Sequence, residues 1–150
     1  MNDTITVLST QHQDVLRELA AAEADLGQGD GTSLAGLVRF LQGDVLRHFV
    51  VEEEALFPVL ARHIGSAQGP LAVMHAEHAE FRRLLGALDR AVNAQDVPQQ
   101  HAHAAQLIEL LRGHIAKEDN VLFPMALRML SEPLNPARGS RRALPDLLPQ

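Results

Sequence analysis

The sequence contains no cysteine, no tryptophan and no tyrosine. Without cysteine the chain can form neither a disulfide nor a thiolate metal cluster, and a cysteine nucleophile is excluded. No apolar run approaches the roughly 20 residues that a membrane-spanning helix needs, and residues 1–6 lack the basic and apolar regions of a secretory signal. The formal net charge of −6 argues against non-specific nucleic-acid binding. We therefore expect a cytoplasmic protein that binds neither nucleic acid nor membrane.

The sequence is rich in aliphatic residues at helical spacing. Its 150 residues suffice for one domain with a substantial core. Apolar residues recur at intervals of three or four in four segments, which are separated by short loops containing glycine or proline. Because short loops join antiparallel neighbours, the sequence predicts an all-α, up-down-up-down four-helix bundle over residues 1–130.

Prolines modify this bundle in two places. Pro58 lacks the amide hydrogen that would bond to the carbonyl of Glu54, so we expect a kink or break in the second helix there. Residues 131–150 contain several prolines and a cluster of arginines, which predicts an irregular C-terminal tail and not a fifth core helix.

One motif occurs twice, at residues 48–58 and 114–124, which are 66 positions apart. Both copies read histidine, three residues, glutamate, a second acidic residue, two residues, then Leu-Phe-Pro. The same offset pairs two more histidines, one placed 36 positions ahead of each motif. The chain is therefore internally duplicated. The repeated polar residues are His12, His48, Glu52, His78, His114 and Glu118.

These six residues fall on the inward stripes of the predicted helices, where an ordinary bundle would carry leucine or alanine. Burial of an ionised carboxylate without a partner costs on the order of several kcal/mol, so a compensating group is required. One alternative is a histidine–glutamate ion pair within the second helix and another within the fourth. The presence of two matched copies favours the other alternative, a metal site.

The proposed ligand set narrows the choice of metal. Four imidazoles and two carboxylates are too many for one tetrahedral zinc ion. Shared between two metals, they give each about three protein ligands, with both glutamates free to bridge and positions left open for a small ligand. Mixed nitrogen and carboxylate ligation favours iron over manganese or zinc. The sequence thus predicts two non-haem iron ions, a diiron centre bridged by carboxylate or by an oxo or hydroxo group.

At these motifs the sequence resembles the hemerythrin-like (HHE cation-binding) family, over roughly residues 8–128. The resemblance implies a non-haem diiron site that binds dioxygen or a related diatomic, with the same six residues as ligands. Oxygen-carrying hemerythrins place two histidines four apart on the third helix. Here Met74 stands four before His78, and the extra histidine is His75, three before it. His75 is a candidate additional ligand; we expect it to tune an open coordination position while His78 holds the metal.

Residues beside the motifs receive structural interpretations. Phe57 and Phe123 are expected to pack beneath the site. Glu53, Glu54 and Asp119 are expected on a solvated face, with a role for Glu53 as a spare ligand as the alternative.

Three functions fit such a centre. The first is a protein that binds or senses dioxygen, nitric oxide or iron. The second is a diiron enzyme that acts on peroxide or nitric oxide, or that donates iron for repair. The third is an interaction module in which metal holds the bundle together. We favour the first, a metal- and oxygen-binding protein over an enzyme; the sequence identifies no protein partner.

Overall fold

The computed structural model describes residues 2–27, 34–65 and 67–131. The predicted tail, residues 131–150, lies outside the described residues except for Ser131, which still belongs to the last helix. Within the described part the chain forms four long helical runs and no strand. The predicted all-α class is confirmed. The helices are α1 (Asn2–Gly27), α2 (34–64), α3 (Pro70–Asn93) and α4 (97–131).

Two apolar layers show that successive helices run antiparallel. One layer joins the starts of α1 and α3 to the ends of α2 and α4. We call it the lower layer; it contains Ile5, Leu8, Leu56, Phe57, Leu60, Leu71, Met74, Leu122, Phe123 and Ala126. The upper layer joins the opposite helix ends, and its members include Leu19, Leu34, Phe49, Phe81, Leu88 and Leu107. Because each layer combines helix starts with helix ends, the up-down-up-down topology is confirmed.

The second and fourth helices contain matched π-helical turns. These turns span Glu52–Leu56 in α2 and Glu118–Leu122 in α4, and each is followed by an α-helical segment, Phe57–Ile64 or Phe123–Ser131. The amide of Phe57 donates to the carbonyl of Glu52, five residues back, and Phe123 donates to Glu118 in the same way. Such turns are rare and are frequent at functional sites.

Of the expected kink or break at Pro58, the break is wrong. The backbone around the proline stays in the right-handed helical region, and α2 continues to Ile64. Since the wider turn ahead of Pro58 already shifts the hydrogen-bonding register, the helix accommodates a residue that has no amide hydrogen.

Local signals account for the helix ends. Gly65 ends α2 with a φ of 74°, and Gly69, at a φ of 77°, precedes α3, whose first residue is Pro70. The Asp96 side chain accepts a hydrogen bond from the amide of Gln99 and caps α4. No helix in the described ranges combines the length and apolarity needed to cross a membrane.

Candidate metal centre

A buried polar layer lies between the two apolar layers. Each helix contributes one histidine to this layer, and α2 and α4 each contribute one glutamate as well. Glu52 and Glu118 are 0% exposed, and the four histidines are at most 5% exposed. The structure therefore brings together all six residues that the repeated motif singles out. They are His12, His48, Glu52, His78, His114 and Glu118.

The six residues form two groups of potential metal ligands. One group consists of His12 and His48 with both glutamates, and the other of His78 and His114 with the same two glutamates. Within each group the ligand atoms all lie within 4.8 Å of one another. Glu52 and Glu118 are common to both groups, so each can offer one oxygen to either side. Within the described residues this arrangement fits two metal ions that share two carboxylates.

All four imidazoles present Nε2 to the centre. His12 Nε2 lies 3.2 Å from His48 Nε2 and 3.0 Å from Glu118 Oε1. On the opposite side, His78 Nε2 lies 3.0 Å from Glu52 Oε1, and His114 Nε2 lies 3.5 Å from Glu118 Oε2. Donor atoms from four helices thus converge on a space of a few ångströms.

The opposite ring nitrogens explain why a cation suits this space. Each Nδ1 faces an oxygen that accepts hydrogen bonds: Asp119 for His12 (2.8 Å), Gln11 for His48 (2.7 Å), Glu53 for His78 (2.6 Å) and Glu77 for His114 (2.9 Å). A neutral ring that donates from Nδ1 has a lone pair on Nε2. Lone pairs of nitrogen therefore face carboxylate oxygens at about 3 Å, a contact that needs a proton or a metal ion between the atoms.

The central carboxylates support this interpretation. Three of their oxygens, Glu52 Oε2 and both oxygens of Glu118, are buried without a hydrogen-bond partner of good geometry. Buried carboxylates are normally paired or bound to a metal, because an unpaired one is costly. The residues present therefore fit a bound metal pair. The alternative pairs, His48 with Glu52 and His114 with Glu118, lie at 3.3 and 3.5 Å but leave the oxygens without a hydrogen bond.

The outer hydrogen bonds correct one sequence interpretation. Glu53 and Asp119 are only partly exposed and accept hydrogen bonds from histidines on other helices, so their placement on a solvated face is wrong. Two further partners, Gln11 and Glu77, were not identified from the sequence. A signal for them exists, because the offset of 66 positions pairs Glu53 with Asp119 and Gln11 with Glu77. The duplication marks these pairs as equivalent positions, but it does not separate them from other paired polar residues such as Asp14 and Glu80.

Aromatic rings enclose the histidines. Phe49 stacks on His78 with ring centroids 3.8 Å apart and an interplanar angle of 7°. Phe123 stacks on His12 at 5.4 Å, and Phe57 lies 5.4 Å from His78. The predicted packing roles of Phe57 and Phe123 are confirmed, since both are buried in the lower layer. These rings pack against the imidazoles and help to bury the centre.

The central groups shift one another's pKa values in different directions. Burial, together with the negative charge of Glu118, raises the pKa of Glu52 well above its ordinary value. Burial opposes ionisation of Glu118 as well, yet its contacts with Glu52 and the histidines keep its pKa well below the ordinary range. Burial also lowers the pKa of His78 to about 4. The pKa of His114 rises to about 10, because its contacts with Glu118 and Glu52 outweigh the effect of burial.

His75 belongs to neither group. Its side chain is exposed on α3, and its ring packs edge-on against Phe57 at 5.1 Å. His78, three residues later, is buried in the centre. The two histidines therefore have different surroundings, as expected from the register of the repeat.

Comparison with known proteins agrees with this picture. The sequence matches the family described as hemerythrin HHE cation binding domain over residues 3–126. It is 33% identical over 132 residues to the iron-sulfur cluster repair protein YtfE of Escherichia coli (strain K12 / DH10B) and to that of Shigella boydii serotype 18. The alignments cover 78% of this chain and 60% of each relative, so the chain spans about three-fifths of their length. No solved structure matches significantly.

Fold and site together define a four-helix bundle with a buried cluster of histidines and glutamates that could hold cations. The family match covers most of the chain and includes both motifs. The chain belongs to the hemerythrin HHE cation-binding domain family.

Proposed function

We propose that this protein holds two non-haem iron ions, with His12, His48, Glu52, His78, His114 and Glu118 as ligands. The observation that supports this most strongly is the sharing of Glu52 and Glu118 by two groups of potential ligands. Two shared carboxylates suit a pair of adjacent cations, whose mutual repulsion they reduce. The donor set of imidazole and carboxylate, without sulfur, suits iron.

The chain's own residues would perform three tasks at such a centre. The four outer partners orient the imidazoles and select the tautomer with Nε2 free to bind metal. Phe49, Phe57 and Phe123 keep the rings in place and exclude bulk water. The shared glutamates supply the negative charge that two cations require. When bound, iron would supply redox chemistry and open positions for a small ligand.

We further propose that the centre serves the repair of iron-sulfur clusters, by supplying iron. The similarity to iron-sulfur cluster repair proteins supports this function over oxygen carriage. Because this chain spans about three-fifths of those relatives, the proposal concerns the metal-binding part of that activity. The partners of this protein would then be iron-sulfur proteins whose clusters have lost iron.

The repair proposal can be tested by iron transfer. Metal-free protein is loaded anaerobically with ferrous ion and its iron content is measured. It is then incubated with a [4Fe–4S] protein that peroxide has damaged, with dithiothreitol present in every arm to supply the electron that cluster rebuilding needs. We expect about two irons per chain and recovery of the cluster absorption, beyond the recovery given by chelator-buffered ferrous ion at equal concentration. Glu118→Gln, which alters a shared carboxylate, is the control and should restore little. Recovery that is no better with the loaded protein would contradict the repair function.

Binding of dioxygen or nitric oxide is the second candidate. It is supported by the donor count, since two imidazoles and two shared carboxylates do not fill a six-coordinate shell. Absorption spectra of the ferrous protein before and after exposure to air or nitric oxide test it. A new band that disappears under argon would support reversible binding, whereas an unchanged spectrum would contradict it.

A further inference from the structure

The four outer hydrogen bonds follow the internal duplication except at one position. Glu53 and Asp119 are equivalent by the offset of 66, and each accepts a hydrogen bond from a histidine of the other half of the chain. Gln11 and Glu77 are also equivalent, and they face His48 and His114. Three of the four partners are therefore carboxylates, and the fourth is a neutral amide.

This difference changes the donor strength of one histidine. A carboxylate that accepts the Nδ1 hydrogen draws the proton away from the ring and makes Nε2 a stronger metal ligand. Hydrogen bonds to an ionised acceptor are about twice as strong as those to a neutral one. Gln11 fixes the same tautomer of His48 but supplies no charge. Nε2 of His48 is therefore expected to bind a metal less strongly than Nε2 of His114.

Solvent access differs between the halves in the same direction. A surface cavity of about 370 Å³ is lined by Gln11 and His48, together with Asp14, Arg47 and Val51. Gln11 is exposed, whereas its counterpart Glu77 is 16% exposed and is held between His114 and Lys117. Compared with His114, His48 therefore has the weaker outer hydrogen bond and the greater access to solvent.

Basic residues contact Glu53 and Glu77, the carboxylates that support His78 and His114. Their positive charge could weaken the effect of these carboxylates on the two imidazoles. Arg82 hydrogen-bonds to Glu53, and Lys117 to Glu77, which offsets part of the negative charge there. Both cations are well exposed, at 42% and 49%, so water screens them. The carboxylates touch the rings directly and are less exposed. Their effect on the imidazoles is therefore expected to dominate, and the cations mainly hold them in position.

We propose that the centre has two unequal halves, and that Gln11 makes the His12–His48 half the weaker and more readily exchanged metal site. The inference rests on the diiron function proposed above. It identifies Gln11 and Glu77 as positioning residues that set the order in which the two metals bind and leave.

The test exchanges the side-chain amide and the carboxylate at positions 11 and 77. Metal-free parent, Gln11→Glu, Glu77→Gln and the double exchange are titrated anaerobically with ferrous ion by calorimetry. We expect two binding steps in the parent. Gln11→Glu should tighten the weaker step about tenfold, and Glu77→Gln should weaken the tighter step by a similar factor. Each single exchange should therefore make the affinities of the two binding steps more alike. The double exchange should make them differ again.

Two further variants complete the design. Gln13→Glu adds the same charge to an exposed position of α1, two residues away, and should leave both steps unchanged. In the parent, His48→Ala should abolish the weaker step and preserve the tighter one. The ability of a ferrous chelator to remove the first iron gives a second readout, and it should slow in Gln11→Glu.

The outcomes separate the two proposals. Two binding steps whose affinities do not respond to Gln11→Glu or Glu77→Gln would overturn the inequality of the halves and leave the diiron function standing. A response of equal size in Gln13→Glu would also overturn it, since charge alone would then suffice. Uptake of at most one iron by the parent and by Gln11→Glu would overturn the diiron function and this inference together.

Discussion

At the scale of single residues, two histidines three positions apart on α3 have contrasting surroundings. His78 is buried, contacts Glu52 and Phe49, and hydrogen-bonds to Glu53, whereas His75 is exposed. We therefore expect His78→Ala to lose iron from its half of the centre, because a buried ligand disappears. His75→Ala should keep the full iron content and alter at most the reaction with oxygen. Iron analysis and absorption spectra of the two variants provide the measurement; iron loss confined to the His75 variant would show that the repeat register is misleading on α3.

The shared glutamates predict a different response from the histidines. Glu118 belongs to both groups, so Glu118→Gln, which keeps the shape and removes the charge, should reduce the binding of both irons. His48→Ala removes a ligand from one group only and should reduce the binding of one. Metal titration of each purified variant distinguishes the two patterns. Equal losses in both variants would contradict the sharing of Glu118.

The six central residues were predictable from the sequence because two copies of one motif carry four of them and the same offset pairs the other two. Their outer partners were harder to identify, for a physical reason. Asp119 directly follows Glu118, and on a regular α-helix it should point about 100° away from the centre. Its partner His12 lies on another helix, 107 positions away, so the contact depends on packing that helical periodicity does not encode. Only the duplication links Asp119 to Glu53.

At the scale of helices, the π-helical turns were not predictable from hydrophobic spacing. The two matched turns each begin on a shared glutamate and end one residue before the Phe-Pro pair. A proline within a helix predicts lost hydrogen bonding, and a break is the usual outcome. Here the helix widens and continues, so the side chains after Pro58 still reach the lower layer. The period of 3.6 residues identifies a helix but does not show where an extra residue is accommodated.

Substitution of two glycines tests how backbone conformation contributes to the stability of the helices. Gly113 lies within α4 and is exposed, and an added Cβ would meet no heavy atom within 4 Å. Gly113→Ala should therefore raise the free energy of unfolding by about 0.5–1 kcal/mol, because alanine restricts the unfolded chain more and favours the helix. Urea denaturation of the metal-free protein provides the measurement, and iron binding should stay unchanged.

Gly65 is the matched control. It also has open space around it, but its φ of 74° with ψ of 165° is a conformation that side chains rarely adopt. Gly65→Ala should lower the free energy of unfolding by about 1–3 kcal/mol. A similar gain in both variants would show that the backbone at the end of α2 relaxes freely.

At the scale of the whole molecule, metal uptake should be coupled to proton release. In the metal-free protein at neutral pH, the pKa of His114 (about 10) means that this group holds a proton, and the raised pKa of Glu52 favours its protonated form. Metal binding requires the deprotonated forms, so these protons must leave. The apparent affinity for ferrous ion should therefore increase as the pH rises from 6 to 8. His78, whose pKa is lowered to about 4, is already neutral and contributes little to this dependence.

Calorimetry in buffers of different ionisation enthalpy measures the number of protons released. A binding enthalpy that does not depend on the buffer would contradict the coupling. His114→Ala should release fewer protons than the parent, whereas Gly113→Ala, one residue away on an exposed face, should release the same number.

The architecture as a whole was largely predictable, since four apolar stripes and short loops leave few alternatives to an antiparallel bundle. The depth of the centre was predictable as well, because residues such as His12 and His78 interrupt stripes that are otherwise aliphatic. The division into two groups was not. Which histidine pairs with which depends on the arrangement of the helices around the axis, and the sequence pattern is compatible with more than one arrangement.

That division has a consequence for how the centre assembles. Each half of the chain, α1 with α2 or α3 with α4, brings two histidines and one glutamate at the same spacing, and each needs the glutamate of the other half. Two separate helical hairpins of this kind would have to meet at high concentration to form a complete site. The short connection between Ile64 and Pro70 replaces that encounter by an intramolecular one, with an effective concentration in the millimolar range for a short linker. One chain therefore contains two equivalent hairpins. Because they are parts of one sequence and not two copies of one chain, they can differ, as they do at Gln11 and Glu77.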